Sequence, residues 1–289
     1  MFDTICIVGV GLIGGSFGLA AREKRLARRV IGAVRRQATI DEAVALGAID
    51  EGTTDLLDAA READLIVMAP PVGQMIELCR QIAGVVQAGA IITDAGSTKS
   101  SFVSECEQVL GERACFVGGH PMAGSEQTGV QAARADLFER STWILTPSAR
   151  TPPPVLNTLI AMAEAVGATP LTLDAHLHDA ILASTSHLPH IAASALVHQF
   201  ARAREQNAVA DQLVGGGWRD STRVAAGSAE MWRDICLANA QAIDGSLGEL
   251  IGELEEVRAL VRAGEADKLR EWFEQAAVVR RAHGNLPRK

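Results

Sequence analysis

His120 closes the apolar run Ala114–Gly119 in the stretch "HPMAGSE", with Ser125 and Glu126 just downstream. An imidazole titrates near neutral pH and suits the base that takes a hydroxyl proton while the carbinol carbon gives up hydride. Ser125 and Glu126 would add polarity to the same pocket, although a carboxylate at the start of a helix would also suit Glu126. A second polar cluster, "HLHDAILASTSHLPH", carries His176, His178, Asp179, His187 and His190. Its spacing raises the question of a metal, but Pro189 interrupts the second histidine pair, no cysteine joins it, and hydride transfer needs no metal. No metal is expected. A third stretch, "GGGWRDSTRVAAGSAEMWRDI", offers Asp220, Arg223 and Trp232. Arg223 is the candidate for a substrate carboxylate, because a planar guanidinium pairs with one bidentately; a surface pair with Asp220 is the plainer role.

Chemistry of this kind needs a hydride acceptor, and the first residues place one. "CIVGVGLIGGS" holds Gly9, Gly11 and Gly14 in G-x-G-x-x-G spacing between a strand-like run and a helical one. Gly9 permits the tight turn, Gly11 lets a pyrophosphate approach the backbone, and Gly14 lets strand and helix pack closely. Leu12 and Ile13 then open the helix whose positive end faces the phosphates. An acid that grips the ribose 2′-hydroxyl belongs about 20 residues beyond the last glycine. Val34 stands there instead, followed by Arg35 and Arg36. Two guanidinium groups without a carboxylate favour NADP over NAD, with NAD still possible; a solvated loop would also accommodate both arginines. In "TDAGSTKSS", Ser97 follows another strand and lies at the nicotinamide side.

Short apolar runs at Ile5–Val8, Val30–Val34, Leu65–Ala69, Ala90–Asp94, Cys115–Gly119 and Trp143–Leu145 alternate with helix-period segments. That alternation predicts an α/β Rossmann-like domain with a mostly parallel sheet over 1–150. "TPSARTPPP", with four prolines, marks a boundary. After one more helix and the strand-like "ATPLTL", the chain is alanine-rich and helical in period, predicting an all-α domain over 151–289. Ser246–Val279 carries apolar residues on at least two sides, more than one core face uses, so a homodimer through this domain is expected.

The chain has 289 residues and a formal charge of −8, which argues against nucleic-acid and membrane-surface partners. The apolar start follows Asp3, lacks a basic cluster and is broken by glycine, so it reads as strand, turn and helix rather than as a secretion signal. Five cysteines without a close pairing motif suit reduced thiols and a cytoplasmic protein.

In their order, "GVGLIGGS", "GAIDEGTTD", "DAGSTK", "GGHPMAGSE", "STSHLPH", "GGGWRDSTR" and "MWRDICLAN" make the chain resemble the prephenate and arogenate dehydrogenase family of tyrosine biosynthesis. The resemblance implies a Rossmann-like domain, a helical dimerisation domain and oxidative decarboxylation of a cyclohexadienol. It implies that His120 takes the ring hydroxyl proton and that Ser97 orients His120 and the nicotinamide. Arg223 would bind substrate carboxylate with His190 nearby, and Ser125, Glu126, Asp220 and Trp232 would line or support the pocket. Many members keep an aspartate where Val34 stands, so cofactor choice is not inherited from NAD-using relatives. With no regulatory or chorismate mutase extension in the sequence, feedback by tyrosine would act at the active site. Two other readings remain open. A β-hydroxyacid dehydrogenase would use a lysine in the helical half, which offers none before Lys268. A non-catalytic NADP sensor would leave His120, His190 and Arg223 without a role.

Overall fold

A computed structural model describes residues 1–125 and 127–284. Eight strands form one sheet: β1 (Phe2–Val8), β2 (Ala27–Ala33), β3 (Glu51–Thr53), β4 (Leu65–Met68), β5 (Ala90–Asp94), β6 (Ala114–Pro121), β7 (Thr142–Thr146) and β8 (Thr169–Thr172). Their spatial order is β3-β2-β1-β4-β5-β6-β7-β8. All neighbours are parallel except β6 and β7, which run antiparallel with His120 opposite Ile144.

The apolar runs read as strands because alternate residues bury on opposite faces. Ile5 and Ile7 of β1 join one core with Phe17, Ala20 and Ala21 of α1 (Leu12–Glu23) and with Leu159 and Met162. Cys6 and Val8 join the other with Met68, Met75, Cys79 and Phe102. A parallel sheet needs such cover on both sides, since each crossover lays a helix on a face. The crossovers are α2 (Gln37–Ala45), α3 (Leu56–Glu62), α4 (Met75–Ile82) and α5 (Val103–Leu110), and α6 (Pro153–Ala165) joins β7 to β8. The proline-rich stretch therefore does not end the sheet: Pro153 opens α6, where a proline needs no hydrogen-bond donor.

Beyond β8 the chain is helical, as expected: α7 (Ala175–Leu182), α8 (Leu188–Gln206), α9 (Gly216–Thr222), α10 (Ala229–Ala238), α11 (Ala240–Ala263) and α12 (Ala266–Gly284). Residues 175–206 form one continuous helix that Pro189 does not break. A π-turn at Ala183–His187 precedes the proline, and the widened turn takes up the missing donor and the bulk of its ring. This helix is apolar and long enough to cross a membrane, but its buried positions include His178, Asp179, His187 and His190. Two compact units emerge, Met1–Asn239 and Ala240–Lys289, so the first helices after the sheet belong with the sheet. In the second unit α11 and α12 form an antiparallel hairpin turned at Gly264, with Trp272 Nε1 donating to Glu253 at 3.1 Å.

Candidate active site

Gly9 adopts φ +88°, and a Cβ there would sit 3.0 Å from the Ala69 carbonyl oxygen. A Cβ on Gly14 would lie 2.1 Å from the Gly9 oxygen, so the third glycine is what lets α1 close on β1. Gly11 differs from both. No atom lies within 4 Å of the Cβ it lacks, leaving room for a ligand's backbone approach. No side chain caps the start of α1 at Gly11 and no acid occupies its first turn, so the amide groups around Leu12 and Ile13 face the opening. The adjoining cavity, about 540 Å³, spans the ends of β1, β2 and β4, where the sheet order reverses. Val34, Arg35, Arg36 and Thr39 line one end, and no carboxylate is among the lining residues. This donor set and the open side of Gly11 fit a dinucleotide.

The next strands carry the polar centre. Asp94 ends β5 and is fully buried with Lys99, whose Nζ bonds Asp94 at 2.6 Å, the Gly96 carbonyl at 2.7 Å and the Thr98 carbonyl at 2.8 Å. Three acceptors satisfy all three protons of an ammonium. Burial pushes the Asp94 carboxyl up and the Lys99 amine down, against their mutual attraction. The pair ties the "DAGSTK" loop into a tight turn holding half-buried Ser97. Asp94 also accepts from the Gly119 amide at 2.9 Å, joining that loop to β6. Side chains on Gly118 or Gly119 would collide with Thr146 Oγ1 or the Asp94 carbonyl, at 2.3 and 2.4 Å, which explains the "GG" before the histidine.

His120 is thereby set at the end of β6, 7% exposed. Its Nδ1 meets His178 Nε2 at 2.9 Å, and His178 Nδ1 meets Asp179 Oδ1 at 2.7 Å. Asp179 accepts further bonds from the Lys99 and Ser100 amides, both at 2.8 Å, and from the Ser100 hydroxyl. Burial works to raise the Asp179 carboxyl, but these bonds win and hold it below its ordinary value. Burial, then the Lys99 charge and the His178 and His187 rings, holds His120 well below the ordinary histidine range. A neutral imidazole is the form that accepts a proton.

Helix α8 supplies His190, whose ring stacks on Trp232 of α10 at 3.5 Å and 14°. Gly227 makes that pairing possible, since a Cβ there would lie 2.8 Å from Trp232 Nε1. His187 meets the same indole edge-on, and its Nδ1 pairs with Asn239 Nδ2 at 3.2 Å. Burial pulls its pKa to about 4. The asparagine nitrogen can only donate, so the ring proton of His187 sits on Nε2, which is buried without a partner among the described residues.

The structure therefore brings His190 and Trp232 together and sets His120 beside the Ser97 loop. Asp220 and Arg223 are exposed, Arg223 opening the turn Arg223–Ala226 that leads to Gly227. Ser125 is exposed and accepts from the Gln127 amide at 3.2 Å. Glu126 lies outside the described residues. The sequence suggests His178, Asp179 and His187 only as metal ligands, and it assigns no individual role to Asp94, Lys99 or Asn239, although they lie in the "DAGSTK" and "MWRDICLAN" motifs. An available signal was the adjacent His178–Asp179 pair, a histidine next to a carboxylate that can fix its tautomer; that the pair meets His120, 58 positions away, is decided only by the fold.

An open sheet with its crevice at the strand-order reversal and a buried, neutral imidazole two strands away has the layout of a dinucleotide-dependent oxidoreductase. Comparison with known proteins narrows this class. Residues 17–171 match the family described as prephenate dehydrogenase, nucleotide-binding domain, and residues 174–275 match its dimerization domain. The chain is 36% identical to the prephenate dehydrogenase of Bacillus subtilis over 277 residues, covering 96% of this chain and 75% of the relative. It is 34% identical to the cyclohexadienyl dehydrogenase of Zymomonas mobilis over 283 residues, 98% of this chain and 96% of that one. The crystal structure of prephenate dehydrogenase from A. aeolicus, in complex with hydroxyphenyl propionate and NAD+, superposes with a TM-score of 0.91 at 32% identity, covering 98% of each chain. The chain belongs to the prephenate dehydrogenase family of NAD(P)-dependent oxidoreductases, as the ordered motifs implied. The family segments meet between 171 and 174, where the sheet ends at Thr172.

Proposed function

We propose that this enzyme oxidatively decarboxylates prephenate, arogenate or both, passing hydride to NADP in preference to NAD. The observation that carries the reading is His120, buried, neutral and held by its Nδ1 at a strand end two strands from the dinucleotide crevice. A dinucleotide held by the Gly9–Gly14 turn and the start of α1 would supply the acceptor for the hydride that leaves the carbinol carbon. His120 accepts the ring hydroxyl proton at its Nε2, and a carbonyl forms at that carbon. The new carbonyl is the electron sink that lets the opposite carboxylate leave as carbon dioxide; the electron pair of the broken bond passes through the ring to that oxygen, which makes the ring aromatic, and protonation of the oxygen gives the phenol. Ser97 orients His120 and the nicotinamide from the β5 turn. Arg223 pairs with a substrate carboxylate beside His190, while Trp232 supports His190 by stacking. Ser125, Glu126 and Asp220 contribute polarity to substrate binding.

Arg35 and Arg36 in the adenosine end of the cavity, with no acid beside them, support the preference for NADP. A homodimer through the helical segment is supported by the dimerization-domain match and by exposed Leu237, Ile251, Leu254 and Phe273. Five cysteines free of disulfides agree with a cytoplasmic setting. The direct test is the initial rate of NADP reduction with prephenate and with arogenate at equal concentration, repeated with NAD. Turnover of either substrate, faster with NADP, is the expected result. Absence of turnover by the folded protein with both substrates and both cofactors overturns the reading.

A further inference from the structure

A base at His120 works only if the nitrogen facing the reacting hydroxyl carries a lone pair, and nothing in an isolated imidazole decides which nitrogen that is. The structure supplies the decision from a different segment. Asp179 is a carboxylate that only accepts, so His178 Nδ1 donates to it across 2.7 Å. In the uncharged chain His178 Nε2 is then an acceptor. The bond of 2.9 Å to His120 therefore takes its proton from His120 Nδ1. His120 Nε2 is left with the lone pair.

The source of this order is itself rigid. Asp179 is pinned by the Lys99 and Ser100 amides on the β5 side, and its backbone carbonyl accepts from Asn239 Nδ2 at 2.8 Å. His178 is fully buried and Asp179 nearly so, at 0% and 2% exposure. Lys99 and His187 are the other titratable groups facing His120, and neither is bonded to its ring.

We propose that His178 and Asp179 are positioning residues that lock His120 in its Nδ1–H form and turn its Nε2 lone pair to the substrate hydroxyl. In the step itself the hydroxyl proton moves to His120 Nε2 as hydride leaves the same carbon. The imidazolium so formed keeps its Nδ1–H bond to His178, and no proton passes along the pair. The proton later departs from Nε2 to water. This inference rests on the reading of His120 as the base.

The test is nitrogen-15 imidazole NMR of the whole protein, with the His120 signals identified by their loss in His120→Asn, alongside steady-state kinetics. The wild type is expected to show Nδ1 protonated and Nε2 unprotonated at His120. In Asp179→Asn the amide can donate to His178, which reverses the chain and moves the His120 proton to Nε2, with kcat lower by about 100-fold or more and KM values little changed. His178→Leu, which removes the acceptor, is expected to lose kcat similarly. His178→Gln, whose amide oxygen can accept from Nδ1–H, is expected to recover most of it. An Nε2–H signal at His120 in the wild type overturns the proposal, as does near-normal kcat in folded His178→Leu. Should Asp179→Asn fail to fold, the wild-type signature and the His178 pair still decide. Near-normal turnover by His120→Asn would instead remove the base assignment itself, a separate failure.

Discussion

The dinucleotide cradle and the buried histidine centre are built in opposite ways around one sheet. The cradle is contiguous: Gly9, Gly11 and Gly14 lie within six residues, and what they offer is backbone, bare of side chains. The centre joins the Asp94–Ser100 loop, the Gly118–His120 strand end, helix residues 178–190 and Asn239 through buried side-chain bonds. Backbone amides at a helix start can serve a diphosphate however the rest of the fold varies. A neutral buried base needs several desolvated partners held at once, and that costs folding free energy. The cradle should therefore tolerate change by trading one ligand for another, whereas the centre should lose stability and turnover together.

The largest effect is expected at Lys99. Lys99→Met leaves Asp94 buried without its partner and should cost about 3–5 kcal/mol in urea unfolding. Turnover should fall as the β5 loop loosens from Gly119. The double variant Lys99→Met/Asp94→Asn should regain part of the stability, and equal losses in both would remove the pair from its structural role.

Acid should reveal the second effect. Unfolded His187 takes up a proton near pH 6.5, while the folded residue does so only near 4. The unfolded chain binds more protons between those values, so stability should fall as pH drops from 6.5 to about 4, by on the order of 3 kcal/mol from this residue. His120, also depressed by burial, adds to the same trend. Unfolding curves from pH 7 to 4 for the wild type and for His187→Asn check this, the variant giving the flatter dependence. Identical slopes would mean that His187 is not the titrating group.

The smallest effect belongs to the cradle. Replacing Arg35 and Arg36 by alanine should weaken NADP by about tenfold or more while leaving NAD nearly unchanged if, as proposed, the two guanidinium groups pair with the 2′-phosphate that only NADP carries. Equal changes for both cofactors would return the two arginines to a solvated loop.

How legible each region was follows from the same contrast. The apolar runs foretold six of the eight strands, because a buried strand is a short apolar run and carries its own signal, and "ATPLTL" marked the exposed edge strand β8; β3, Glu51–Thr53, is too short and polar to announce itself. Pro189 was read as an interruption, yet the helix continues through a π-turn that no local propensity encodes. The proline-rich stretch after β7 looked like a boundary because prolines punctuate, but the sheet takes one more strand beyond it.

By itself the sequence determined the doubly covered sheet, the glycine turn, the unusual pair of arginines and a histidine at the end of β6. Each of these is written in consecutive residues, where spacing and residue type carry the physics. Only the tertiary structure decided that Lys99 is buried on Asp94, that Gly118 and Gly119 clear space for that loop, and that His178 with Asp179 stands behind His120. Lys99 and Asp94 are only five positions apart, but the other contacts join residues 25 to 80 positions apart, and such partners are chosen by how strands and helices pack, not by any local pattern in the chain.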